Sequence, residues 1–145
     1  MSLADWEKNG WLTAHVSSRG EILALLGVVD RDLNDCQTPG LSADWKLNIA
    51  YNAALQAAAA ALAAAGYRVA RDAHHYRVIQ SLALTIEPDS IWIDQLEKFR
   101  KKRNIGGYER AGAVSSHEAK EMVRLAKALA TEAKKWLRKN HPQFM

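Results

Sequence analysis

The chain has 145 residues, 48% of them apolar and 25% charged, with a net charge of +4 and a single cysteine. This length suits one domain, and the balance is too apolar and too evenly charged for an intrinsically disordered polymer. The lone Cys36 excludes an internal disulfide. No charged-then-apolar leader precedes the first helix, and the longest apolar stretch, around residues 53–65, is mostly alanine, so a cytoplasmic protein with no membrane span is expected.

Residues 1–145 read as one helical-bundle domain: a short N-terminal segment over 1–16, a core over 17–139 and a tail over 140–145. The N-terminal piece carries Trp6 and Trp11, whose indoles suit a short helix laid over the bundle. Ser18-Arg19-Gly20-Glu21 has the spacing of a capping box. Ile22, Leu26, Val29 and Leu33 follow at helical intervals, so a helix is expected to end near Cys36. Gln37-Thr38-Pro39-Gly40 marks a turn, and Ser42 can cap a helix that runs through the alanines to a stop at Gly66. Small side chains on nearly every face let other helices approach it closely, which places it at the centre.

From about Ala73 the stretch HHYRVIQSLALTI predicts a third helix with Val78, Leu82 and Ile86 in line, closed by Glu87-Pro88. A fourth begins near Asp89 or Ser90 with Trp92, Leu96 and Phe99 on its buried stripe, and Gly106-Gly107 is expected to stop it. Ser115-Ser116-His117-Glu118 repeats the capping-box spacing. The last helix then carries Met122, Ala126, Leu129, Ala133 and Trp136 inward and ends at Asn140 and Pro142. No segment alternates like a strand. The expected fold class is all-α, an antiparallel up-and-down bundle of four to five main helices.

Chemistry concentrates at KFRKKRNIGGYER, residues 98–110. Helical phase puts Arg103 within about 20° of the mean direction of Trp92, Leu96 and Phe99, while Arg100, Lys101 and Lys102 point elsewhere. An inward guanidinium needs a carboxylate, a carbonyl cluster or a phosphate; the alternative is that Arg103 snorkels from the helix end. His74-His75, with one remote cysteine, make no metal-ligand set, and no metal or other cofactor is expected. Asn48, Tyr51 and Asn52 either satisfy one another inside the bundle or line a cleft.

The order of helices, the stretches LNIAYNAALQAAAAALAAAGYR and HHYRVI, and above all FRKKRNIGGYE before a long last helix resemble the HEPN domain family over about residues 20–139. The resemblance implies a helical bundle that dimerises. It also implies either metal-independent ribonuclease activity or nucleotide binding beside a nucleotidyltransferase, in toxin–antitoxin and defence systems. The family motif is an arginine, commonly followed by a polar residue, then four to six residues and a histidine; Arg103 and Asn104 match its start. Tyr108 stands where the shortest spacing would put the histidine, and tyrosine, with a pKa near 10, is a poor base at pH 7. Arg110 and His117 also fit the permitted spacing, although Arg110 lies beyond the Gly-Gly pair and His117 in a helix's first turn. The family tends to have a histidine near the start of the third helix, which makes His75 a candidate.

The implied phosphate- or RNA-binding set is therefore Arg103 and Asn104 with Lys101, Lys102, Arg110 and His75. Arg103, Tyr108 and His117 are the candidates for catalysis, and the Arg103–Tyr108 pair favours binding over cleavage. The expected partners are RNA or a nucleotide, a second copy of the chain, and a nucleotidyltransferase or antitoxin. The other reading is a non-catalytic protein-interaction module.

Overall fold

The computed structural model describes residues 1–71, 74–108 and 114–145, with side chains described for all of these except 103–108. Among them are six α-helices: α1 (Leu3–Lys8), α2 (Arg19–Asp35), α3 (Ala43–Ala64), α4 (His74–Ser81), α5 (Ser90–Tyr108) and α6 (Ser116–Asn140). The protein is mostly helical, as the periodicity implies.

The capping serines start three of the long helices. Ser18, Ser42 and Ser115 each accept a backbone N–H three residues on, from Glu21, Trp45 and Glu118. Each such cap is worth about 1 kcal/mol. At Ser115 the box is complete, since the Glu118 carboxylate also accepts the Ser115 N–H at 3.1 Å. At Ser18 the box is only half made, because the Glu21 carboxylate is taken by His15 Nε2 at 2.8 Å. α3 ends at Gly66, whose φ of +100° is the left-handed conformation that closes a helix.

Around α3 the core assembles. Ala50, Ala53, Ala54, Ala57, Ala60 and Ala61 are fully buried, so neighbouring helices sit close on several sides. α2 runs antiparallel to α3: its start (Ile22, Leu26) packs on the end of α3 (Ala60, Ala63, Ala64), and Asp32 near its end reaches Asn52. α6, by contrast, runs parallel to α3, with Val114 bonded to Asp44 at one end and Leu137 packed on Ala60 at the other. α3 is apolar and long enough to cross a membrane by length and composition, and 72% of that stretch is buried by the bundle.

Several expectations need correction. Leu12–Ala14 and Tyr67–Val69 form a two-stranded antiparallel sheet, β1 and β2, paired Leu12 to Val69 and Ala14 to Tyr67. Trp6 lies in α1, whereas Trp11 lies beyond it and meets the Trp6 ring edge-on at 5.6 Å. The third helix stops at Ser81 and continues only as a 3-10 turn over Leu82–Leu84. α5 is helical through Gly106 and Gly107 to Tyr108. Its buried stripe is Ile93, Leu96 and Phe99, with Trp92 only half-buried, and in α6 Leu137 is fully buried while Trp136 is half-buried.

Candidate nucleic-acid interface on the basic helix

α5 has two flanks that carry polar chemistry. On the first, a groove of about 380 Å³ lies between α5 and the start of α6. From α5 it is lined by Gln95, Lys98, Lys101 and Lys102 above Phe99, and from α6 by His117, Glu118 and Glu121. The spacing explains the grouping, because residues three and four apart share a helix face. The structure thus brings Lys101, Lys102 and His117 to one concave surface, as a combined basic site requires.

The groove is cationic, since its carboxylates are engaged. Glu118 is held below the usual carboxylate range, chiefly by the Ser115 N–H, with the Ser115 hydroxyl and Lys102 helping. Lys102 Nζ lies 3.4 Å from Glu118. Glu121 accepts Arg124 Nη1 at 2.6 Å and stands 4.0 Å from His117 Nε2. Lys98 and Lys101 have no carboxylate partner among the described residues. His117 is open to solvent, with its side chain 82% exposed.

The second flank faces α3 and α4. Tyr51 is 1% exposed, and its hydroxyl lies 3.4 Å from His75 Nδ1. Arg100 forms a two-pronged pair with Glu97, at 3.0 Å from Nε and 2.6 Å from Nη2, and stands 5.8 Å from the Tyr76 ring. That pair, more than the nearby Tyr51 and Tyr76, keeps the guanidinium firmly protonated. Arg100 is therefore half-buried at the α4–α5 contact rather than pointing outward as the phase argument had it. Replacing Trp92 by Ile93 in the stripe turns its mean direction by roughly 30° toward Arg100. Arg77 completes this flank, 3.7 Å above the Trp11 ring.

His75 does seat itself against the bundle, on Tyr51, and stands apart from the lysine groove. Asn52 donates to Asp32 Oδ2 at 2.7 Å and accepts from Gln56 at 3.3 Å, so it bridges α2 and α3 in place of the Asn48–Asn52 pairing considered above. The side chains of Arg103, Asn104 and Tyr108, and Arg110 as a whole, lie outside the described residues, and with them the inward reading of Arg103. Lys98, Gln95 and Phe99 were missed as site residues. Their common face with Lys102 is legible in the spacing, but the opposing wall comes from α6.

No protein-family model matches the chain, and no curated protein and no solved structure matches it. Among the described residues no group of three or more His, Cys, Asp or Glu is arranged to hold a metal ion.

Proposed function

We propose that this chain is a HEPN-like protein that binds RNA or a nucleotide phosphate along the basic end of α5, as a cytoplasmic homodimer of the toxin–antitoxin or defence type. The supporting observation is the α5–α6 groove, where Lys98 and Lys101 have no carboxylate partner among the described residues and stand beside Lys102 and His117. Lysines that neutralise phosphates release counterions, which drives binding without base recognition. Arg103 and Asn104, which follow Lys102 directly in sequence, would add a guanidinium and an amide for phosphate, and Tyr108 a stacking or hydrogen-bonding group. The reading is one of binding, with ribonuclease activity weak or lost, because tyrosine replaces the motif histidine.

Fluorescence anisotropy with a labelled single-stranded RNA 20-mer tests this. Three phosphate contacts weaken binding to a single strand about tenfold to twentyfold between 50 and 200 mM salt. Lys98→Glu/Lys101→Glu and Arg103→Ala should each weaken it further and flatten that salt slope. If the affinity of both variants equals that of wild type, the assignment to this helix end is wrong.

A further inference from the structure

A second cleft, of about 630 Å³, opens where the β1–β2 sheet meets α2, α3 and α4. It shares no lining residue with the α5–α6 groove. Its floor is apolar, built from Leu25, Ala59, Leu62 and Val78, and its rim carries Arg68 and Arg71 with Gln56 set into the wall.

The two arginines on this rim are exposed. Neither Arg68 nor Arg71 has a carboxylate, carbonyl or aromatic partner among the described residues, while the other arginines whose side chains are described, apart from Arg138, each have one. The one carboxylate on the wall among the described residues, Glu21, is already engaged by His15 Nε2 at 2.8 Å. Gln56 is held in place from behind: its Nε2 donates to Asn52, which donates to the buried Asp32. One N–H and the carbonyl of that amide remain for a ligand. The volume falls within the range of small-molecule sites, where an apolar floor and a few fixed polar groups divide affinity from orientation.

We infer that this cleft binds a small organic anion, its phosphate or carboxylate head between Arg68 and Arg71 and its apolar body on the Leu25–Val78 floor, with the Gln56 amide fixing its orientation. Guanidinium forks suit such heads because each can give two parallel N–H bonds. The inference stands apart from the RNA-binding proposal and does not depend on it.

Titration calorimetry with phenyl phosphate and octanoate tests it, with inorganic phosphate as the control for the floor. Phenyl phosphate should bind with a Kd below about 1 mM and inorganic phosphate at least about tenfold more weakly. Arg68→Ala/Arg71→Ala, two exposed positions whose loss leaves the thermal melt in place, should weaken binding by about tenfold or more. Octanoate binding with the same dependence on the arginines assigns a carboxylate head; its failure beside phenyl phosphate binding assigns a phosphate head. Failure of both probes to bind, equal binding of inorganic phosphate, and undiminished binding in the double variant would each overturn the inference. So would a loss of binding in Lys98→Glu/Lys101→Glu alone, which would move the anion to the α5–α6 groove.

Discussion

Tyr51 shows how single residues tie the core to the candidate site. Its ring is almost wholly buried against α4, and its hydroxyl lies within reach of His75 Nδ1 at 3.4 Å. Tyr51→Phe keeps the ring and removes the hydroxyl with its bond to His75, so unfolding by denaturant should show a loss of about 0.5–1.5 kcal/mol. Tyr51→Ala removes the packing too, and the loss should rise to about 3–5 kcal/mol. Equal losses in the two variants would mean that the hydroxyl, not the ring, carries the residue's contribution. At this scale the sequence was only partly legible. Tyr51, Asn52 and His75 could be picked out by type, yet their partners lie on other helices: Asp32 twenty residues back from Asn52, and His75 twenty-four ahead of Tyr51. Residue spacing carries no information about such pairs.

At the scale of elements, the helices were readable because their signals are local. A capping serine and the N–H that donates to it lie three residues apart, and a buried stripe repeats every three or four. The β1–β2 sheet was not readable, since three-residue strands are too short to alternate visibly and their pairing joins residues about fifty-five apart in sequence. α5 shows a subtler failure. Trp92 was taken as core because it is large and apolar, whereas its indole is half-exposed and the adjacent Ile93 is the buried residue, which displaced Arg100 from its true flank. The glycines give a sharp comparison between elements. Gly66 closes α3 at φ +100°, with only the His15 carbonyl, at 3.9 Å, near an added methyl among the described residues. Gly66→Ala should therefore cost about 1–2 kcal/mol through backbone strain, not crowding. Gly27 sits inside α2, where an added methyl would meet no described residue within 4 Å, and Gly27→Ala should instead stabilise by about 0.5–1 kcal/mol. Thermal melts of the two single variants should move in opposite directions.

For the whole molecule, the ends of the chain segments matter as much as the centre. After α6 the chain turns through Pro142–Phe144, where it packs against α2, and Arg19 Nη2 donates to the Met145 backbone oxygen at 3.2 Å. His141 stands at the junction, its ring 4.9 Å from Trp136 and 6.2 Å from Phe144. Burial among these rings lowers its pKa below the usual 6.5, because the charged imidazolium loses water it cannot replace there. A histidine whose folded pKa is depressed takes up its proton first in the unfolded chain. Its contribution to stability is therefore complete above about pH 6.5 and is lost as pH falls from there toward the lower folded value. Other groups titrate in the same window, so the comparison with a variant isolates it. His141→Asn removes the titration while keeping a planar polar side chain. The gap between denaturant midpoints at pH 7.5 and 5.5 should be smaller in that variant than in wild type, and an equal gap would show that the acid sensitivity arises elsewhere in the fold.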